Sequence, residues 1–407
     1  MSTASTTPPR DPDEGGVDEP PTGPIPKYTI DLSLPPRDRY KTMSAAFAPK
    51  MRALTTLFDE ILAWSIPFKY PRLLVKYLSS RLLTKLHDPE QNEEIQGVAE
   101  VSGVDLFLVV ALNVLLDSLL GCTSGGVRVR GKRDRRGGEV VGMMHFRTLD
   151  WGMDGLRHLL VELDFVRSES DEPEKVIARS ITYAGFVGVL TGVRPGLSLS
   201  LNFRPIRSCS SLSLRYHQLL VLLGHRPSIA SHLRSVLFSP SSSSSSSSTS
   251  LSTPSPTTAL TSITSSPCYL ILCSPSLTTA IERDLHTSTI RTSSTFLVQT
   301  NHDQDLPSSA LTSQTERTIP LGGAMWIEDS EDRANCVASK WEAVARKQIH
   351  ARVSEAKEEE PFQPSIVEKT LAKWVRAYPT FNETSHFGCV MDPTTGTIRL
   401  LARDGDK

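Results

Sequence analysis

Six cysteines and ten histidines are the side chains of this 407-residue sequence best suited to nucleophilic or metal chemistry. The histidines include no HExxH and no paired-ligand spacing, which leaves metal catalysis without support, so no metal or other cofactor is expected. There is no GxSxG elbow, no P-loop and no GxGxxG turn. Cys122, Cys209, Cys268, Cys273, Cys336 and Cys389 are scattered without a CxxC pair, which argues against a zinc ribbon or a disulfide framework. Cys268 and Cys273 flank an apolar run and read as core thiols. Cys122 is different. It stands in LLGCTSGG, where an apolar helix gives way to a strand, beside small residues that would leave a thiol open to attack. His145 is near in sequence, so a Cys–His pair is conceivable, but one histidine on a strand establishes nothing. Local sequence alone favours a buried structural cysteine at position 122.

The elements that must position these residues fall into blocks. Residues 1–26 form a tail rich in Pro, Gly and acidic residues, predicted to be disordered. Residues 27–121 read as helical. Ser44–Trp64 carries apolar positions at helical spacing, Pro67 and Pro71 break the pattern, and Leu73–Leu86 follows as a basic amphipathic helix. That helix is either a solvated face or a contact with a membrane or lipid aggregate. Glu93–Gly103 and Val104–Leu120 complete the block. The longest apolar run, Leu106–Leu120, is interrupted by Asn113 and Asp117, and is read as a buried helix rather than a membrane span.

From Cys122 the character turns to strands. The basic stretch 130–139 lacks interleaved aromatics and reads as a hairpin loop rather than a nucleic-acid site. A net charge of -1 gives no global case for nucleic acid or an acidic membrane surface. Residues 158–168, 175–193 and 197–205 alternate with period two and are rich in β-branched residues, as strands are. Tyr216–Leu237 returns to helix, and 239–256 is a Ser-rich insertion. Strands at 268–274 and 292–303, helices at Arg333–Ile349 and Ser365–Ala377, and a hairpin at 389–402 follow. Such blocks suggest stacked layers of sheet and helix rather than a doubly wound parallel fold.

Several stretches together resemble the family of acid ceramidase and N-acylethanolamine-hydrolysing acid amidase. They are PIPKYTIDLSLPPRDRY, EEIQGVAEVSGVDLFLVVALN, HFRTLDWG, DFVRS, ITYAGFVGVLTGVRPGLSLSLNFR, FLVQTNHD and EDRANC, with AGFVGVLTGVRPG the most specific. The resemblance implies an α+β fold, the αββα sandwich of N-terminal-nucleophile hydrolases, made as a precursor that cuts itself before its nucleophile. Here that bond is Gly121–Cys122, giving a helical N-terminal subunit, 27–121, and a catalytic part, 122–407, that remain associated. The freed α-amine of Cys122 would act as base for its own thiol. Carried over by motif, Asp150 orients that amine, Arg147 lowers the thiol pKa, Asn301 stabilises the oxyanion and Arg333 completes the polar network.

The implied substrate is a lipid amide, with ceramide ahead of N-acylethanolamines. An acyltransferase on the same fold and an uncut, lipid-binding pseudoenzyme are the alternatives. Two departures stand out. The family's bridge from an early cysteine to the position of Cys336 has no first partner, because no cysteine precedes Cys122. The N-terminus also lacks the basic and apolar regions of a secretory signal. Both favour a cytoplasmic location over the lysosomal one usual for the family.

Overall fold

The computed structural model describes residues 21, 23–52, 54–66, 68–115, 121–133, 139–205, 208–239, 254–306, 311, 323–354 and 362–403. Most of the predicted tail, most of the Ser-rich insertion, the tip of the basic loop and residues 116–120 ahead of Gly121 lie outside them. The first part of the chain forms β1 (Lys27–Asp31), α1 (Lys41–Met51), α2 (Leu54–Ser65), α3 (Lys69–Leu82), α4 (Pro89–Ser102) and α5 (Leu106–Leu115). Strands β2 (Gly121–Arg133), β3 (Glu139–Asp150), β4 (Leu160–Val166), β5 (Ala178–Tyr183), β6 (Thr191–Arg194) and β7 (Leu197–Phe203) follow. Next come α6 (Ser211–Leu222), α7 (Ile229–Phe238), α8 (Pro256–Thr261), β8 (Cys268–Cys273), β9 (Thr278–Arg283), β10 (Ser288–Ser293) and β11 (Phe296–Gln299). The chain ends with α9 (Gly323–Ser354), β12 (Ile366–Val367), α10 (Glu368–Val375), β13 (Ser385–Asp392) and β14 (Thr397–Ala402).

Local chemistry sets several of these boundaries. Asp88 accepts from the Gln91 amide, Pro89 opens α4, and Gly103 ends it at φ 70°, a left-handed conformation that suits glycine. The helix predicted over Tyr216–Leu237 is two helices. Gly224 takes φ 68°, Pro227 follows, and the Ser228 hydroxyl caps the new helix by accepting from Ser231 N. The predicted helical block 27–121 also contributes a strand: β1 pairs in parallel with β4.

Two sheets result. One has the order β1-β4-β5-β6-β7-β8-β9-β10, and the other β11-β2-β3-β13-β14 with β12 beside β2. The strand LSLSLNF shows how they stack. Leu197, Leu199 and Leu201 share one face with Leu270 and Leu272 in the main apolar cluster, to which α7 adds Leu233 and Leu237. Ser198, Ser200 and Asn202 take the other face and meet the second sheet. The two serine hydroxyls lie 3.0 Å from the two ring nitrogens of His145, and Ser124 donates to Asn202 Oδ1 at 2.8 Å. The far face of the second sheet buries Val127, Val129, Phe146 and Val390 against Val337 and Trp341 of α9 and Leu371, Trp374 and Val375 of α10. The layers are therefore helix, sheet, sheet, helix, the αββα arrangement expected.

The sheets approach closely at Gly126. A Cβ there would lie 1.8 Å from Thr278 Oγ1 and 2.8 Å from its Cβ, and Thr278 is fully buried. Gly126→Ala should therefore destabilise the fold by about 1–3 kcal/mol through overpacking, read as a lower urea midpoint. An unchanged midpoint would show that the seam can open without cost.

Candidate active site

The β2–β3 hairpin places the chemistry. Its register sets Cys122 opposite Leu149 and Gly121 opposite Asp150. Because successive strand residues face opposite ways, Cys122 and Arg147 point into the seam between the sheets, while Thr123 and Asp150 point outward to α9. The spacing of three between Arg147 and Asp150 therefore divides them between the two faces of one sheet.

On the inner face, Arg147 Nη2 donates to Cys122 Sγ at 3.4 Å and to Leu201 O at 2.7 Å, and Nη1 donates to Leu190 O. Leu190 ends the AGFVGVL stretch, so that run supplies a carbonyl to the buried guanidinium. On the outer face, Arg333 of α9 donates from Nη1 to Asp150 Oδ2 at 3.1 Å and to Thr123 Oγ1 at 3.0 Å. Ser385 of β13 donates its hydroxyl to the other Asp150 oxygen. Asn301 joins the two sets. Its Oδ1 accepts from Cys122 N at 2.8 Å and from Arg333 Nη2 at 3.3 Å, and its Nδ2 donates to Phe203 O at 2.8 Å. Both groups facing Oδ1 are donors and Phe203 O is an acceptor, so chemistry fixes which way the amide points.

Burial governs the electrostatics. Cys122 and Arg147 are fully buried, and Arg333 and Asp150 nearly so. Burial pushes the Cys122 thiol above its ordinary range, with the Arg147 guanidinium opposing it. The uncut chain thus favours the neutral thiol, whereas the carried-over role of Arg147 emphasises a lowered pKa. Burial also pushes the Asp150 carboxyl up to about 6, with Arg333 the largest opposing influence. His145 does not pair with Cys122. It is held by Ser198 and Ser200, and burial brings it down to about 3, so it sits neutral in the seam.

The structure brings all five predicted residues, Cys122, Arg147, Asp150, Asn301 and Arg333, into one connected network. In the uncut chain it is the Asn301 oxygen that holds the Cys122 nitrogen, while Asp150 is reached through Arg333. Sequence reasoning missed Thr123, Ser385 and Ser330, whose hydroxyl accepts from Asn301 N at 2.8 Å. It also missed the Leu190 and Leu201 carbonyls. Thr123 adjoins Cys122 and was open to notice, but the rest carry no local signal. All six cysteines are free thiols. Among the described residues no cluster of three or more His, Cys, Asp or Glu could hold a metal ion.

Residues 23–85 match the family model for the β subunit of N-acylethanolamine-hydrolysing acid amidase. Acid ceramidase of Mus musculus is 30% identical over 197 residues, covering 45% of this chain and 46% of that protein. Acid ceramidase of Homo sapiens is 29% identical over 205 residues, covering 46% and 48%. Each match spans about half the length of the relative. A solved structure, the Caenorhabditis elegans orthologue of N-acylethanolamine-hydrolysing acid amidase, is 18% identical with a TM-score of 0.41, covering 67% of this chain and 93% of that one. By sequence, the chain is similar over part of its length to acid ceramidases and to the β subunit of N-acylethanolamine-hydrolysing acid amidase.

Proposed function

We propose that this protein is an amidohydrolase of lipid amides that uses Cys122 as its nucleophile after the Gly121–Cys122 bond is cut. The observation that carries this reading is the convergence on Cys122 of Arg147 at its sulfur and Asn301 at its nitrogen, with Arg333 and Asp150 behind them. Cutting begins when the thiol attacks the Gly121 carbonyl and the acyl group passes from nitrogen to sulfur. Water then hydrolyses that thioester and leaves Cys122 with a free amine. An α-amine of pKa about 7.7–8.0 has a neutral fraction at mild pH and can take the proton of its own thiol. The thiolate attacks the substrate's amide carbonyl, the oxyanion accepts from an N–H of Asn301 Nδ2 rather than facing the amide oxygen, the departing amine takes back the proton held by the α-amine, and water releases the fatty acid from the acyl-enzyme.

Ceramide is the substrate we favour, with N-acylethanolamine second, following the acid ceramidases among the relatives. Helix α3 supports lipid contact. Phe68, Tyr70, Leu73, Leu74 and Tyr77 are exposed on it or at its cap, beside Lys69, Arg72, Lys76 and Arg81. Apolar residues flanked by cations suit the surface of a membrane or lipid aggregate. No helix among the described residues is long and apolar enough to cross a membrane.

The test is fatty-acid release from ceramide and N-acylethanolamine in mixed micelles, with and without an added amine acceptor. Release from ceramide, faster than from the ethanolamide and undiverted by the amine, is expected. A new amide formed with the acceptor would make the protein an acyltransferase. Binding without release or a trapped thioester would make it a lipid-binding pseudoenzyme.

A further inference from the structure

Asn301 lies in a turn with no regular structure of its own, yet its side chain must meet a nitrogen on one sheet and a carbonyl at the end of a strand of the other. Three successive residues, from β7 and the position after it, grip that turn. Asn202 Nδ2 donates to Gln299 O at 3.0 Å and Thr300 O at 3.3 Å, Phe203 O accepts from Asn301 Nδ2, and Arg204 takes hold of Asp303. The last grip is the strongest. Arg204 donates from Nε at 2.7 Å and Nη2 at 2.6 Å to the two Asp303 oxygens, and Tyr269 donates its hydroxyl to Oδ1 at 2.7 Å. Arg204 Nη1 is anchored in turn on Arg283 O at 3.1 Å. The Arg204 and Asp303 side chains are each 8% exposed, and Tyr269 is fully buried.

A buried ion pair adds little net stability over an apolar pair of the same volume, but it fixes geometry. Here the geometry fixed is that of a turn whose middle residue touches the nucleophile. We infer that Asp303, clamped by Arg204 and Tyr269, is a positioning residue that aims the Asn301 carboxamide at Cys122. The Asp303 side chain bonds Arg204 and Tyr269 rather than Cys122. It acts through two intervening backbone units, so its loss should loosen Asn301 rather than remove a reacting group. The inference rests on the proposed role of Cys122 for its catalytic consequence, but not for its structural one.

The experiment uses two readouts. The first is hydrogen exchange of the residue 122 amide in the uncut Cys122→Ala chain, with Asn301→Ala as the reference for a lost acceptor. Adding Asp303→Asn should speed that exchange on the order of tenfold, through a local opening rather than a global one. Protection that is lost in Asn301→Ala yet retained in Asp303→Asn overturns the inference, whether or not the protein cuts itself.

The second readout is self-cutting and hydrolysis in the otherwise wild-type chain. Asp303→Asn should slow both on the order of a hundredfold, with kcat falling and KM unchanged. Removing one partner of a buried pair also weakens the fold, so the double variant Arg204→Met with Asp303→Leu is the control. It should regain melting temperature without regaining kcat. Recovery of both together would reduce the pair to a structural role and overturn the inference. Loss of amide protection in a protein that neither cuts nor hydrolyses would sustain the positioning role while refuting the proposed function.

Discussion

Cys122→Ala should remain a single polypeptide and release no measurable fatty acid, whereas the wild type should separate into two chains on a denaturing gel. The expectation is large because two steps depend on one atom. In the proposed mechanism the thiol cuts the chain before it, and the same thiol then carries the acyl group. Loss of a nucleophile from a preorganised site costs about a thousandfold or more in kcat. No neighbour can substitute. His145 is committed to Ser198 and Ser200, and the buried Cys389 thiol, in register with Arg147, does not follow Gly121 and is pushed up to about 12 by burial. Mass spectrometry of the C-terminal fragment should find Cys122 as its first residue. An uncut wild type with full amidase activity would refute the mechanism.

Arg333→Met should destabilise the fold by about 3–5 kcal/mol at pH 8, because it strips a buried carboxylate of its cation. The loss should depend on pH, and the sign can be worked out. The folded pKa of Asp150 is raised to about 6 from an ordinary value of 3.8. The folded state therefore holds the proton more tightly than the unfolded chain. The stability this contributes is fully present below 3.8 and lost as pH rises through about 6. Without Arg333 the carboxyl rises further, so the losing window extends upward and the variant suffers most at high pH. Near pH 5 Asp150 takes up its proton and the deficit should shrink. The bonds to Thr123 and Asn301 are lost at every pH, so a residual deficit stays. Urea titrations of both proteins at pH 5 and pH 8 read the difference. An equal deficit at the two values would mean that Asp150 does not titrate there. The double variant Arg333→Met with Asp150→Asn should recover part of the loss at pH 8.

The strand LSLSLNF announced itself through period two, and the sequence could already separate its leucine face from its serine face. The hairpin at the C-terminus, read over 389–402, is also found, as β13 and β14, because Pro393–Gly396 is legible turn chemistry. β1 and β9 went unread. KYTID and TTAIER are five and six residues long, too short for a pattern to rise above noise, and tertiary pairing makes them strands. At the site, the five side chains were named because their motifs are local. Ser385 was not, because it meets Asp150 across 235 residues of sequence. The Leu190 and Leu201 carbonyls belong to the backbone, which every residue shares, so no side-chain pattern could reveal them. Arg147 and Asp150 stand three apart with charges that would suit a surface pair, yet both are buried, because β3 lies between β2 and β13 and is covered on both faces.

The N-terminal helices hold to the rest by more than the peptide bond before Cys122. β1 is paired along β4, Glu94 is bonded to Arg234, Gln91 donates to Ser231, and Asn113 exchanges two hydrogen bonds with Gly185 O and Val187 N. In the cut state proposed above, these contacts and the apolar packing of α1, α2, α4 and α5 in the main cluster would be the whole of the attachment, and the molecularity of folding would change. The precursor folds as a first-order event, independent of concentration. The two separated parts could re-form only by encounter, at a rate that falls with dilution. A protein assembled in one piece and then divided carries a memory of its synthesis that a test tube cannot easily restore, which sets its working life by how slowly it unfolds rather than by how readily it refolds.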